Sequence, residues 1–289
     1  MPTVAPDPTT EIIRHEQPAM KEVQPLCTRG ILLGPSGSGK GVLLQWLITQ
    51  AYRFPAVKRV YVWSPSVDLA PEWEVVRRYS KEVLGVDQEK EKTFFSEFRA
   101  EDLQEVIDTQ EAVIAYMRKN KQKAAWPNIL LVFDDLADPP EFMRREKLLH
   151  RLFIRGRWAS ISTLVSTQVW RALAPECRKQ ATAVYCFRLR NQADLDGLVE
   201  ELAAVHPKGK KGILELYRRS TSEQFGFLYC DLMQRDPDLM FRDKHFRRLT
   251  DKKSGDENGA EEIADARGAA PRSSGGSSAQ VRQVPGQSR

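Results

Sequence analysis

Paired cysteines and long apolar runs are both missing from this sequence. Its four cysteines, Cys27, Cys177, Cys186 and Cys230, form no Cys-X-X-Cys pair, which excludes zinc knuckles and thioredoxin-type redox motifs. No apolar run approaches the length of a membrane-spanning helix, and the first residues have no hydrophobic signal-peptide core. We therefore expect a soluble intracellular protein whose thiols are reduced.

Positive charge is only slightly in excess, because the sequence contains 44 Lys and Arg residues and 39 Asp and Glu residues. The net charge of +5 suits a polyanionic partner without specifying one. Hydrophobic residues make up 41% of the 289 residues, which is enough for a substantial core. We predict an extended N-terminal arm over 1–23, one folded domain over 24–250, and a disordered tail over 251–289, which is rich in Gly, Ser, Ala and charge.

Apolar runs alternate with amphipathic ones, which predicts an α/β fold with a mainly parallel central sheet flanked by helices. Five runs are predicted as strands: 30–33, 59–63, 129–133, 160–166 and 183–187. Four segments are predicted as helices: 41–52, 100–121, 141–155 and 193–203. Two later runs, 212–217 and 224–229, are predicted to pair as a C-terminal β-hairpin.

A glycine-rich segment between the first strand and the first helix is the most informative motif. Gly37 and Gly39 allow backbone N–H groups to curl around an anion, and the following helix presents its N-terminal dipole to that anion. Lys40 adds a mobile positive charge for the outer phosphates of a nucleotide. This order of elements predicts a phosphate-binding P-loop. The predicted nucleotide-binding residues are Gly34, Pro35, Ser36, Gly37, Ser38, Gly39, Lys40, Gly41 and Val42.

Gly41 departs from the P-loop motif, in which the residue after the lysine is Ser or Thr and its hydroxyl binds Mg²⁺. Backbone N–H groups and Lys40 still bind phosphate, so we expect nucleotide binding with weaker metal affinity. A Gly-Lys-Gly sequence also resembles the P-loop of adenylate kinases, although that family usually has Thr where this chain has Val42. Phosphotransfer to a small molecule therefore stays open as an alternative.

Two acids close the third predicted strand in the manner of a Walker B motif. Ligands of parallel sheets bind at the carboxyl ends of the strands, where Asp134 and Asp135 follow the apolar run 129–133. Asp134 is predicted to hold Mg²⁺ through water, and Asp135 to orient or deprotonate the attacking water. Gln168 ends the fourth strand. If that strand lies between the P-loop and Walker B strands, Gln168 lies beside the γ-phosphate and positions the water.

Three arginines are candidates to stabilise the charge that develops on a transferred phosphoryl group, in the same subunit or a neighbouring one. Arg155 and Arg157 end the helix after the Walker B strand, and Arg178 lies in a short helix before the fifth strand. Arg157 is the first choice, because Gly156 frees the backbone beside it. A purely structural role stays open for each, since helix C-termini favour arginine.

The ordered motifs resemble those of the poxvirus-type genome-packaging ATPases of large DNA viruses, a branch of the FtsK/HerA superfamily with relatives in virophages and polinton-like elements. The resemblance spans about residues 30–190. The matching segments beyond the two Walker motifs are 152–158, Ile161-Ser162, Ser166-Thr167-Gln168 and 173–178. The positions that depart from the family pattern are Gly41, Trp158 and Ala174.

This resemblance implies a RecA-like P-loop NTPase of the ASCE type that uses ATP and Mg²⁺ to translocate double-stranded DNA into a viral capsid. It implies a homo-oligomeric ring at the capsid or portal vertex, in the host cytoplasm or nucleus or within the virion. DNA contacts are predicted among 208–211, 218–219 and 244–248, where basic residues cluster. Two alternatives stay open: a nucleoside-monophosphate-kinase-like enzyme, and a DNA-binding or assembly protein that binds nucleotide without hydrolysing it.

Overall fold

A single eight-stranded sheet organises the computed structural model, which describes residues 14–120, 124–136 and 147–249. The strands are β1 (Arg29–Leu33), β2 (Val57–Trp63), β3 (Phe94–Phe95), β4 (Asn128–Asp134), β5 (Ile161–Thr167), β6 (Ala183–Phe187), β7 (Phe227–Asp231) and β8 (Phe241–Arg242). The α-helices are α1 (Lys40–Trp46), α2 (Pro71–Glu82), α3 (Ala100–Lys119), α4 (Lys147–Arg155), α5 (Pro175–Gln180), α6 (Gln192–Leu202), α7 (Gly209–Ser220) and α8 (Pro237–Met240). A π-helical turn, Leu47–Ala51, extends α1, and 3-10 turns lie at Gly156–Ala159, Trp170–Ala172 and Ala203–Val205.

The strand order is β3-β2-β4-β5-β1-β6-β7-β8. The strands from β3 to β6 are parallel, and β7 and β8 extend the sheet in antiparallel pairing. β5 lies between β1 and β4, with Leu33 opposite Thr167 and Asp134 opposite Ser166. The carboxyl ends of these three strands therefore meet at one edge of the sheet, which is the edge where ligands of such folds bind.

Burial explains why the central strands could be predicted. Every residue of β4, β5 and β6 is buried, as expected for strands covered by helices on both faces. Separate clusters of buried apolar side chains fill the space on the two faces of the sheet. The predicted α/β fold with a mainly parallel sheet is confirmed, and each of the five predicted strands is present with its bounds shifted by at most two residues at either end.

The predicted C-terminal hairpin is wrong in its first strand. Residues 212–217 lie within α7, whose buried side chains Ile213, Leu216, Tyr217 and Ser220 follow the three- and four-residue spacing of a helix face. Only the second run forms a strand, β7, which pairs antiparallel with β6 on one side and β8 on the other. The helical spacing of apolar residues over 209–220 thus predicts this element better than the short apolar run 212–217 does.

Besides α7, four described helices or strands were not predicted from the sequence: α2, β3, α8 and β8. α2 begins at Pro71, and its side chains Trp73 and Val76 are buried. β3 is a two-residue strand that pairs with β2. The predicted tail, 251–289, lies outside the described residues, as do the predicted arm before residue 14, residue 121 of the helix predicted over 100–121, and the first six residues of the helix predicted over 141–155. Of the described helices, none has both the length and the apolar character needed to cross a membrane.

Candidate active site

The glycine-rich loop between β1 and α1 has the backbone shape that its sequence predicts. Gly37 and Gly39 have φ angles of 75° and 100°, in the left-handed region that side chains disfavour. A Cβ added to Gly34 would lie 2.8 Å from Cβ of Phe187, so this position too accepts only glycine. The N–H of Gly34 donates to the carbonyl of Thr167 at 3.1 Å, which ties the loop to the end of β5.

Lys40 lies buried at the start of α1 with its side chain turned back over the loop. Its Nζ donates to the carbonyl oxygens of Gly34 at 2.7 Å and Pro35 at 3.1 Å. Burial lowers the pKa of Lys40, and the negative charges of Asp135 and Asp134 oppose that shift. The ammonium group thus faces both the P-loop and the carboxylates that follow β4.

Asp134 is the buried member of the acid pair, with 9% of its surface exposed. Oγ of Ser64, which follows β2, donates to its Oδ2 at 3.1 Å. Burial raises the pKa of Asp134, while hydrogen bonding to Ser64 and the charge of Lys40 act in the opposite direction. The carboxylate is therefore held in place and poorly solvated, which suits a group that binds a cation.

Asp135 is the exposed member of the pair and has a φ of 51°. Asp tolerates the left-handed region better than most residues, and such angles recur at functional sites. Nε2 of Gln168 donates to both of its carboxylate oxygens, at 3.0 and 2.9 Å. The structure thus brings together Lys40, both acids and Gln168, as their positions in the sequence predicted. The chemical roles assigned to them stay predictions.

A cleft of about 470 Å³ opens beside residues 35–38 of the P-loop. Two exposed arginines, Arg188 and Arg190, border it directly after β6. Sequence reasoning missed them, although an Arg-Leu-Arg run that ends an apolar strand was visible. Because β6 lies next to β1 in the sheet, its carboxyl end carries these guanidinium groups to the phosphate-binding loop.

Aromatic side chains form a second cavity, of about 590 Å³, beside Gly39 and Val42. Phe225 has a φ of 57° and is 57% exposed, and Val42 is 64% exposed. The aromatic lining residues are Trp46, Phe187, Phe225, Phe227 and Phe246. An exposed apolar pocket next to a phosphate-binding loop is suited to a planar heterocycle.

The residues around Gly41 fit a divalent metal ion despite the missing hydroxyl. A Cβ added to Gly41 would overlap Oε1 of Glu72 and lie 3.0 Å from its Cδ, so a carboxylate fills the space of the usual side chain. Asp134 supplies a second carboxylate. Residues 14–120, 124–136 and 147–249 contain no cluster of three or more His, Cys, Asp or Glu side chains arranged for a metal. Mg²⁺ needs no such cluster, because phosphates and waters complete its coordination.

The structure does not bring the three candidate arginines to this site within one subunit. Arg155 and Arg157 are exposed before β5, at the end of that strand opposite to Gln168, and a seven-residue strand spans roughly 20 Å. The Arg157 guanidinium lies 4.8 Å from the ring centre of Trp158. Nε of Arg178 donates to both carboxylate oxygens of Glu201 at 3.0 and 3.1 Å, and only 11% of the Arg178 side chain is exposed.

One family model and several solved structures are similar to this chain. The model of the family described as "Poxvirus A32 protein" matches residues 23–222. Among curated proteins, none matches the chain. The solved DNA-packaging ATPase B204 of Sulfolobus turreted icosahedral virus is 15% identical, with a TM-score of 0.49, over 75% of this chain and 98% of that one.

Two other solved structures are similar at the same level. The genome-packaging NTPase B204 of Sulfolobus turreted icosahedral virus 2, in complex with ATP-gammaS, is 16% identical, with a TM-score of 0.47, over 74% of this chain and 94% of that one. The pCW3 conjugation coupling protein TcpA, with ATPgS, is 16% identical, with a TM-score of 0.48, over 71% of this chain and 58% of that one.

Proposed function

This chain belongs to the poxvirus A32 protein family, and we propose that it couples ATP hydrolysis to the movement of double-stranded DNA into a viral capsid. The family predicted from its motifs is confirmed by the match over residues 23–222, which includes Lys40, Asp134, Asp135 and Gln168. As a member of this group of viral packaging ATPases, the chain is a P-loop ATPase of virus assembly. The steps by which its residues act are our proposal.

The contact between Gln168 and Asp135 carries the proposed chemistry. Asp135 accepts a proton from the attacking water, and Gln168 fixes the orientation of its carboxylate and of that water. Lys40 exchanges the carbonyls of Gly34 and Pro35 for the β- and γ-phosphates, to which its charge is better suited. Mg²⁺, when bound with ATP, neutralises charge on these phosphates, and Asp134 is the carboxylate that holds it.

The two cavities beside the P-loop accommodate the rest of the nucleotide. The adenine base packs among the aromatic side chains next to Val42 and Phe225, where apolar surface is otherwise exposed. Arg188 and Arg190 bind the phosphate chain from the side of β6. Phe225 lies in the segment between α7 and β7. A bound nucleotide therefore contacts the segment that directly follows the helix with the basic residues.

Translocation requires a grip on DNA and communication between subunits. Lys211 and Arg218 are exposed on one face of α7 and present positive charge to a phosphate backbone. Arg157 lies too far along β5 to reach the phosphates bound by its own subunit, so it acts on a neighbouring subunit of a homo-oligomeric ring. We place this ring at a capsid vertex, at the site of virus assembly in the host cell.

Phosphate release separates this proposal from its alternatives. ATP hydrolysis should rise on adding double-stranded DNA, without sequence preference, and Lys40→Ala should abolish both the basal and the stimulated rates. AMP added as an acceptor should yield no ADP beyond that formed by hydrolysis. Phosphoryl transfer to AMP would establish a kinase instead, and nucleotide binding without phosphate release would establish a non-hydrolysing assembly protein.

A further inference from the structure

Glu72 occupies the space in which a P-loop normally carries its metal-binding hydroxyl. The residue after Lys40 is Gly41, which has no side chain, and a Cβ built on it would overlap Oε1 of Glu72. The same Cβ would lie 3.0 Å from Cδ and 3.3 Å from Cγ of Glu72. A serine or threonine would therefore displace the carboxylate of Glu72, because an oxygen of Glu72 lies where that side chain would begin.

The fold holds Glu72 at this position through the first turn of α2. Pro71 begins the helix, and Trp73, directly after Glu72, is fully buried among side chains of α1 that include Leu43 and Leu44. The N–H of Trp73 also donates to the carbonyl of Ala70 at 3.1 Å. Packing of α2 on α1 thus fixes the backbone of Glu72 beside the P-loop helix.

The same segment connects Glu72 to the Walker B carboxylate. The N–H of Ala70 donates to the carbonyl of Ser66 at 2.9 Å, and Oγ of Ser66 lies 3.1 Å from Oγ of Ser64. Ser64 in turn donates to Asp134. Residues 64–72 therefore form one hydrogen-bonded segment that contacts Asp134 at its start and carries Glu72 at its end.

A structural role alone does not account for Glu72. Acids in the first turn of a helix are stabilised by its dipole, but Glu74 occupies that turn as well and is exposed on a face of α2 away from the P-loop. Within the part of the chain that the structure describes, the carboxylate of Glu72 has no hydrogen bond or ion pair. Its half-buried position costs hydration without a partner in the protein, which is typical of a group that serves a ligand.

We propose that the carboxylate of Glu72 replaces the missing P-loop hydroxyl and, together with Asp134, would hold the divalent cation that enters with the nucleotide. The inference rests on the proposed function, because the cation enters with ATP. A carboxylate oxygen is a stronger ligand for Mg²⁺ than a neutral hydroxyl. In this proposal the metal ligand is not lost but supplied by Glu72 instead of by residue 41. The proposal also predicts that changing either Gly41 or Glu72 alone weakens Mg²⁺-dependent nucleotide binding, whereas a suitable change of both residues preserves it.

Metal-dependent nucleotide binding tests this directly, without reference to turnover. Binding of a fluorescent, non-hydrolysable ATP analogue is measured in EDTA and then across a Mg²⁺ titration, and Mn²⁺ binding is followed by electron paramagnetic resonance. Glu72→Gln should weaken the apparent Mg²⁺ affinity roughly tenfold or more, since mutation of even the outer-shell partners of metal ligands typically costs about 10–100-fold. Affinity in EDTA should not fall, and Glu74→Gln, which changes the same charge on the same turn, should leave both quantities unchanged.

A swap of the two residues completes the test. Gly41→Thr alone should weaken Mg²⁺-dependent binding, because its side chain displaces the carboxylate of Glu72 from this position. Gly41→Thr combined with Glu72→Ala should restore it to within about threefold of the parent by re-creating the usual hydroxyl ligand. Binding of the parent in EDTA establishes the nucleotide site by itself, so failure of that control would overturn the proposed function. If the parent binds and Glu72→Gln matches its Mg²⁺ affinity while Asp134→Asn does not, the assignment of Glu72 is wrong.

Discussion

Gln168 donates both of its hydrogen bonds in this structure to Asp135, one to each carboxylate oxygen. The two residues directly follow neighbouring parallel strands, and the N–H of Asp135 donates to the carbonyl of Ser166 at 3.2 Å. The last residues of β5 therefore set both the backbone and the side chain of Asp135. We therefore expect a change at Gln168 to affect hydrolysis through the orientation of this acid.

Replacing Asp135 should separate nucleotide binding from hydrolysis. In Asp135→Asn the phosphate-binding loop is untouched, but the group that accepts the proton is lost, so kcat should fall by about 10²–10⁴ while ATP affinity stays the same. Gln168→Ala should lower kcat less. The check is a measurement of ATP affinity by fluorescence alongside steady-state phosphate release. A loss of affinity that parallels the loss of rate in Asp135→Asn would show that this acid holds the nucleotide instead.

Removing either of the two charged groups that face the phosphates should abolish hydrolysis. Lys40→Ala deletes a charge worth several kcal/mol on the transferring group, so we expect turnover to fall by about 10² or more. Asp134→Ala deletes the carboxylate that holds the cation, with a comparable loss. Circular dichroism of both variants, compared with the parent, controls for folding. Turnover by folded Lys40→Ala at the parent rate would contradict the role of the P-loop.

Asp134 should cost the nucleotide-free protein stability at neutral pH. Burial raises its pKa in the folded state above the ordinary value of 3.8, so the native state binds more protons than the unfolded state between these two values. The contribution of Asp134 to stability is thus greatest below pH 3.8 and is lost as the pH rises through the raised pKa. Asp134→Asn should therefore melt at a higher temperature than the parent at about pH 7, with a smaller gain at about pH 5.

Differential scanning calorimetry without nucleotide gives both comparisons. Ser64→Ala is the matched control, because it removes the hydrogen bond to Asp134 but leaves the charge, and it should lower the melting temperature at about pH 7. A lower melting temperature for Asp134→Asn than for the parent at both pH values would mean that the Ser64 hydrogen bond and the Lys40 charge outweigh the cost of burial.

Exposed basic residues of α7 should bind DNA through phosphates alone. Lys211→Ala and Arg218→Ala should each weaken binding equally for unrelated sequences and reduce the slope of log affinity against log salt by about 0.9. Lys210 is less suitable, since it pairs with Glu200 at 2.9 Å. Lys90→Ala, which removes an exposed lysine paired with Asp87 on another part of the surface, is the control. An unchanged salt slope in both α7 variants would move the DNA-binding surface elsewhere.

Arg157 should complement a neighbouring subunit. Arg157→Ala retains its own P-loop and acids, and Asp135→Asn retains its own arginine, so mixed assemblies should recover part of the hydrolysis that each variant lacks alone. Size-exclusion chromatography with tagged subunits verifies that the two variants assemble together. If the mixture stays inactive although both variants co-assemble and bind ATP, Arg157 does not act across the interface. Arg155 is then the better candidate, since Arg178 is already held by Glu201.

The sequence predicted those features that depend on one strand and the loop after it. The runs 129–133 and 183–187 are apolar throughout because both faces of the sheet are covered, and the glycines of the P-loop reflect φ angles that few other residues adopt. The helix α7 was missed because six of its residues also suit a strand, and only the spacing from Ile213 to Ser220 reveals the buried face. A local pattern predicts an element correctly when only the helical or only the strand periodicity fits the full length of the segment.

Other contacts between distant elements could not be predicted from the sequence. The carboxylate beside Gly41 comes from α2, whose place is set by packing of Trp73 against α1. Arg188 and Arg190 reach the P-loop because β6 pairs with β1, which no local motif records. Arg157 shares a motif with residues of the site, yet lies at the other end of β5. These relationships require the strand order and helix packing of the folded chain.

Displacement of a triplex-forming strand from double-stranded DNA tests the central claim most directly, because it reports movement along DNA and not binding or hydrolysis alone. The parent should displace the third strand with ATP and Mg²⁺, and should fail to do so with a non-hydrolysable analogue. Lys40→Ala and Asp135→Asn should fail with ATP, although Asp135→Asn still binds both ATP and DNA. Displacement by Asp135→Asn at the parent rate, or none by a parent that hydrolyses ATP in response to DNA, would contradict an ATP-driven translocase.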